Sequence, residues 1–234
     1  MAEFLLVPGA WLGAWAWDDV VPELRAAGHG AHPLTLSGLA DKQGVPAGQQ
    51  THVEDIVGEV TRLDLHDVVL VGHSYAGIPA GQAAELIGDR LARVVFVDAN
   101  VPADGVAFAA GPYAQLMADA LAANDGFWAP ADAERLAGNG LSDEQIARIR
   151  ARATPQPGAT LTEPAKLPRP LGELPVTYVK CLLAGAEPTP DVAELLRSPG
   201  WRLVELDTGH WPMFSRPHEL ARILLDEAVR APGR

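Results

Sequence analysis

The chain has 234 residues, 48% of them hydrophobic and 21% charged, and a formal net charge of −12. That length suits one α/β domain whose core is closed on both faces of a sheet. The acidic balance argues against nucleic acid or an anionic membrane surface as a partner, and no apolar stretch reaches the ~20 residues that a membrane span needs.

Short strand-like runs alternate with longer helical patterns, the signature of a mostly parallel central sheet with helices on both faces. In chain order, strands are predicted near 3–7, 30–36, 67–72, 93–98, 175–181 and 201–206, and helices near 17–27, 52–64, 75–88 and 217–230. Met1-Ala-Glu3 leads directly into the first strand without a basic leader. Trp15 and Trp17, beside the first helix, read as core. His29 and His32 stand at the start of the second strand, and their spacing lacks a second pair of ligands, so no metal site is expected. Thr51-His-Val-Glu54 reads as a capping box opening the second helix, with His52 and His66 on the surface at its two ends. Ser142-Asp-Glu-Gln145 reads as another such box. The alternation breaks between 99 and 174, where helical pieces near 112–123, 131–137 and 142–152 precede a proline-rich stretch. This insert is read as a helical cap over the carboxyl edge of the sheet, within a single domain spanning 1–234. Cys181 ends a strand as a small buried residue. As the single cysteine it can form no internal disulfide, which fits a cytoplasmic compartment.

Residues 68–77, Val-Val-Leu-Val-Gly-His-Ser-Tyr-Ala-Gly, carry the chemistry. A buried strand runs into a serine set between small residues, and a helix follows. Ser74 must therefore occupy a sharp turn that lifts its hydroxyl beside a helix N-terminus. A serine hydroxyl needs a base, and His210 follows the strand 201–206 through a short loop at the same sheet edge. His73 should point away from the reacting side, and His218 lies in the first turn of the last helix. Three carboxylates could orient His210: Asp98, which terminates the strand beside that of Ser74, then Glu187 and Asp191. Asp98 is favoured, because a carboxylate ending a buried strand needs a partner. The Tyr75 amide and the Ala10 amide, in the loop after the first strand, are the candidate oxyanion donors. Trp11, Trp128 and Trp211 are the candidate substrate-binding residues, with Phe127 and Phe214 near them.

With these residues in view, the chain resembles the α/β-hydrolase superfamily, and within it the compact branch of plant methylesterases, hydroxynitrile lyases and related bacterial esterases. The resemblance rests on Leu5-Leu-Val-Pro-Gly-Ala-Trp-Leu-Gly-Ala-Trp15, Val69-Leu-Val-Gly-His-Ser-Tyr-Ala-Gly77, Val95-Phe-Val-Asp-Ala-Asn-Val-Pro-Ala-Asp-Gly105 and Leu206-Asp-Thr-Gly-His-Trp-Pro-Met213. It implies Ser74 as nucleophile, His210 as base and the Ala10 and Tyr75 amides as oxyanion hole. Some members carry the acid at the position of Asp98, which strengthens Asp98 over Glu187. The family's usual His-Gly after the first strand is Pro8-Gly9 here. The lyases of the branch have threonine at the position of Gly9 and lysine at that of Trp211, so cyanohydrin cleavage is not implied.

The expected activity is cofactor-free serine hydrolysis of an ester or thioester of a small, largely apolar molecule. Two other readings use the same scaffold: a natural-product tailoring enzyme that cleaves C–C bonds, cyclises or decarboxylates, and a ligand-binding receptor. The sequence says nothing of oligomeric state.

Overall fold

The structure, a computed structural model, describes residues 1–230. Along the chain run β1 (Glu3–Val7), α1 (Val21–Ala26), β2 (Gly30–Pro33), α2 (Gln49–Arg62), β3 (Val68–His73), α3 (Gly77–Ile87) and β4 (Leu91–Val97). Then come α4 (Ala114–Ala122), β5 (Phe127–Trp128), α5 (Ala133–Leu136), α6 (Asp143–Arg152), β6 (Gln156–Pro157) and α7 (Ala159–Thr162). The chain finishes with β7 (Val176–Cys181), α8 (Pro190–Leu195), β8 (Trp201–Leu206), α9 (Pro212–Ser215) and α10 (Pro217–Arg230).

Six strands form one sheet in the order β2-β1-β3-β4-β7-β8, and every neighbouring pair is parallel. β3 and β7 are buried at every position, which is why they read as continuous runs rather than alternating ones. Helices cover the sheet in two packed groups, α2 with α3 and α1 with α10. Because all six strands point the same way, the residues that follow β1, β3, β4, β7 and β8 emerge at one edge. Gly9, Ser74, Asp98 and His210 all lie just past those strand ends. Between β4 and β7, β5 and β6 pair as a separate antiparallel ribbon, and Ala107 bridges Pro164. Among the described residues no helix is long and apolar enough to cross a membrane.

Several predicted boundaries move. The second strand ends at Pro33 rather than 36: Leu34 still donates to the Leu6 carbonyl at 3.0 Å, and Pro33 is tolerated because β2 is the edge strand. There Thr35 Oγ1 accepts from the Ala14 amide at 3.0 Å, and Asp55 takes both the amide and the hydroxyl of Ser37. The helix expected over 17–27 is split into a 3-10 turn at Ala14–Trp17 and α1, with Pro22 in the first turn of α1. α2 starts at Gln49, two residues before Thr51, with Gly48 as its N-cap. Thr51 is thus not the cap itself but reaches back, its hydroxyl accepting from the Gly48 amide at 3.2 Å. The Ser142–Gln145 box forms as expected, with both reciprocal bonds. His52 is not on the surface. It is fully buried, because α2 turns it toward the sheet, where it bonds the Tyr75 hydroxyl (2.9 Å) and the Ser37 carbonyl (2.8 Å).

Candidate active site

The turn after β3 is built by small residues. A Cβ on Gly72 would stand 3.0 Å from both the Ala76 carbonyl oxygen and the Ala80 Cβ, and one on Gly9 would stand 2.8 Å from His73 Nδ1 and Ser74 Cβ. Glycine at these two positions lets β3, α3 and the loop after β1 converge on Ser74. Ser74 itself sits at φ 53°, in the left-handed region that costs a side-chain-bearing residue roughly 1–2 kcal/mol. Its carbonyl accepts from the Asn100 amide at 3.1 Å, which ties the turn to the loop after β4.

His210 Nε2 lies 2.8 Å from Ser74 Oγ, and His210 Nδ1 lies 2.7 Å from Asp98 Oδ2. Asp98 also occupies the left-handed region, at φ 42°, which turns its carboxylate across the end of β7. Its second oxygen accepts from the Cys181 amide (3.2 Å) and faces Lys180 Nζ (3.4 Å). Burial alone would raise the Asp98 carboxyl, but the His210 bond, the charge of His210 and Lys180, and the Cys181 amide together hold it below the usual carboxylate range. Burial lifts the Cys181 thiol well above its ordinary value, so it carries no thiolate at neutral pH. Glu187 is exposed in the turn after β7, and Asp191 opens α8 beside a different hollow. The carboxylate brought to His210 is that of Asp98.

The main chain of His210 is held from two sides. Its amide donates to Asn139 Oδ1 (3.2 Å), and its carbonyl accepts from His73 Nε2 (2.7 Å). His73 Nδ1 in turn accepts from the Gly9 amide at 3.2 Å. These partners require the neutral Nε2–H tautomer of His73. Burial, reinforced by the nearby charge of His210, pushes its pKa down to about 3. Burial also lowers His52. Both depressed groups make the unfolded chain, with histidines near 6.5, bind protons that the folded chain refuses. Stability is therefore full above pH ~6.5 and is lost as pH falls below it. His73 contributes a slope of up to about 1.4 kcal/mol per pH unit. Denaturant unfolding between pH 7 and 5, above the carboxylate range, should show this slope, and His73→Gln should flatten it whatever its absolute stability. A wild-type midpoint that does not move over this interval would contradict the assignment.

The loop after β1 carries a third left-handed residue of the site, Trp11 at φ 69°. Its amide donates to Gln156 Oε1 (3.1 Å), its indole N–H to the Trp128 carbonyl (3.1 Å), and its carbonyl accepts from the Thr154 amide (2.9 Å). Three bonds from the segment between β4 and β7 thus fix the peptide next to Ala10. Among the described residues neither the Ala10 nor the Tyr75 amide donates a hydrogen bond, and both residues line a cavity of about 520 Å³ with Ser74 and His210. Trp11, Trp128 and Trp211 also line it. Phe127 does not: it is 45% exposed, because the two-residue strand β5 alternates faces and turns Trp128 inward instead. Phe214 is buried against Trp15 rather than in the cavity, since α9 faces the first 3-10 turn. Trp15 and Trp17 are core, as expected.

Residues that sequence reasoning missed are Phe108, Met117, Arg135 and Asn139 around the cavity, and Lys180 behind Asp98. Lys180 had a readable signal, a lone charge inside the apolar run Val176–Cys181. Met117 and Arg135 lie in α4 and α5 and Phe108 and Asn139 in the turns beside them, with nothing in the local pattern to mark which side faces Ser74. Two further hollows, each about 570 Å³, lie away from Ser74 and hold no serine, histidine or paired nucleophile. Among the described residues no cluster of histidine, cysteine and carboxylate could hold a metal ion.

Residues 4–223 match the alpha/beta hydrolase family. The chain is 33% identical to a carbendazim hydrolyzing esterase of Nocardioides sp. over 96% of its own length and 98% of the relative's. It is 27% identical to methylesterase 9 of Arabidopsis thaliana over 99% and 100% of the two lengths. In fold it is similar to an extracellular α/β-hydrolase from a Paenibacillus species, with a TM-score of 0.85 at 21% identity over 97% of this chain and 99% of that one. It is likewise similar to a methylesterase from Arabidopsis, with a TM-score of 0.78 at 20% identity over 98% and 100%. The chain belongs to the α/β-hydrolase family. Within that family it is a hydrolase of the carboxylesterase type.

Proposed function

We propose that the protein cleaves an ester or thioester of a small, largely apolar molecule through an acyl-enzyme on Ser74. The observation that carries this reading is the continuous relay of Ser74 Oγ, His210 and Asp98 at 2.8 and 2.7 Å, opening into an aromatic-lined cavity. Ser74 Oγ bonds to the carbonyl carbon while its proton passes to His210 Nε2. The Ala10 and Tyr75 amides receive the oxyanion, a contribution worth about 10²–10³ in rate per donor. As the bond to the leaving oxygen or sulfur breaks, His210 returns that proton to it. Water then attacks the acyl carbon, gives its proton to His210, and the acid leaves as Ser74 regains its hydrogen. Asp98 keeps the Nδ1–H tautomer and stabilises the imidazolium. No cofactor enters these steps.

Residues 99–174 act in this reading as a cap within one domain spanning 1–234. Its Phe108, Met117, Trp128 and Arg135 wall the cavity, and its Asn139 and Gln156 hold the His210 and Trp11 loops. The net charge of −12 supports a small molecule rather than nucleic acid as partner, and the lone, buried Cys181 supports a cytoplasmic setting. The direct test is trapping. A fluorophosphonate, or p-nitrophenyl acetate in rapid quench, should add one covalent group to wild type, located on the peptide containing Ser74. Turnover of an ester with no label on Ser74 would refute the acyl-enzyme.

A further inference from the structure

The cavity beside Ser74 is walled by several aromatic side chains, and one strong charge stands among them. Arg135 is the sole Arg, Lys, Asp or Glu among the described residues lining it. The guanidinium lies 5.5 Å from the Trp11 ring centroid and 5.4 Å from that of Trp128, and the two indoles are themselves 4.2 Å apart. Two other arginines of this chain also stack on aromatic rings, Arg148 on Phe214 and Arg152 on Trp15. Each of those is ion-paired: Arg148 with Asp18 and Asp19, Arg152 with Asp18. Arg135 has no carboxylate partner among the described residues, although acidic residues outnumber basic ones by 30 to 18. Its neighbour Asp132 caps α5 instead, accepting from the Arg135 backbone amide at 2.8 Å.

A guanidinium lying over aromatic rings keeps the N–H donors in its own plane free, where they can grip a carboxylate in bidentate fashion. Arg135 is exposed, and its contact with the two indoles, tilted 54° to each other, reduces the freedom lost when that bond forms. Trp11, Trp128 and Phe108 extend the aromatic wall from Arg135, and Phe108 meets Tyr75 edge-on beside Ser74. The wall therefore offers flat apolar contact near the serine and a cation beyond it.

We propose that the substrate is an aromatic ester that carries a carboxylate apart from the scissile ester, and that Arg135 selects it by that charge. This rests on the hydrolytic reading of Ser74, and the two can fail separately. The test uses monomethyl esters of the three benzenedicarboxylic acids and of 2,6-naphthalenedicarboxylic acid, each against its neutral isostere with methyl in place of the carboxylate. In wild type at low salt, kcat/KM should favour at least one carboxylate over its isostere by about tenfold, chiefly through KM, and the preference should shrink with added salt. Arg135→Gln should abolish that ratio, Arg135→Lys should restore part of it, and Arg135→Glu should invert it. Calorimetric binding of the same esters to Ser74→Ala protein, with and without Arg135→Gln, reads the selection without turnover. A ratio near one for every pair in wild type, or a ratio unmoved by Arg135→Gln, would overturn the proposal while leaving the serine mechanism standing. Charge-selective binding without Ser74-dependent hydrolysis would do the reverse.

Discussion

Ser74→Ala is expected to lower kcat/KM for every ester the protein hydrolyses by about 10⁴–10⁶-fold, the range seen when a serine nucleophile is removed from a working relay. That corresponds to about 5–8 kcal/mol of transition-state stabilisation. In the proposed mechanism the loss is large because Oγ supplies the covalent bond itself, and His210 has no other hydroxyl at hydrogen-bond distance from its Nε2 among the described residues. Residual rate would come from the Ala10 and Tyr75 amides and from binding alone. The fold should persist, since the main-chain link from the Asn100 amide to the Ser74 carbonyl needs no side chain. Steady-state kinetics on a panel of small aryl and alkyl esters, alongside a thermal melt, checks both statements. A Ser74→Ala protein with more than a few per cent of wild-type activity would refute the nucleophile.

Asp98→Asn should cost about 10³–10⁴-fold in kcat with a smaller change in KM. Asparagine fills the same space, but its neutral amide neither enforces the Nδ1–H tautomer nor stabilises an imidazolium. The change also leaves Lys180 Nζ, with a side chain only 9% exposed, facing an amide instead of a carboxylate. Glu187→Gln should change kcat less than twofold, because Glu187 is exposed and the bond at His210 Nδ1 belongs to Asp98. Equal losses in the two variants would return the choice of acid to open ground. Asp98 also predicts an acid limb. Its carboxyl is held below its unfolded value, so its contribution to stability is complete above ~pH 3.9 and disappears as pH falls through its lower folded value. Unfolding of the Asn variant should lack that component.

Much of this site was legible because the relay residues are tied to strand ends. A parallel sheet sends every carboxyl end to one edge, so identifying β3, β4 and β8 placed Ser74, Asp98 and His210 on the same side of the molecule. His52 was misread for a related reason. Its helix buries Val53, Ile56 and Val60 on one face, and one polar ring joining that face reads like any surface histidine until Tyr75 and Ser37 are seen around it. The start of α2 was misplaced because Gly48 carries no side-chain signal, and the box residue Thr51 works equally well from inside the helix.

The amino-acid sequence by itself determined the class of fold and singled out Ser74 on its turn, His210 and a favoured acid, since each depends on local periodicity and on the order of strands. Tertiary structure alone decided what surrounds them. Asn139 and His73 on the His210 main chain, Gln156 on Trp11, Lys180 on Asp98 and Arg135 over two tryptophans are all contacts between segments far apart in the chain. A helix or strand pattern records which side of an element is buried. It does not record which distant element buries it, and that pairing is what shapes the cavity and its charge.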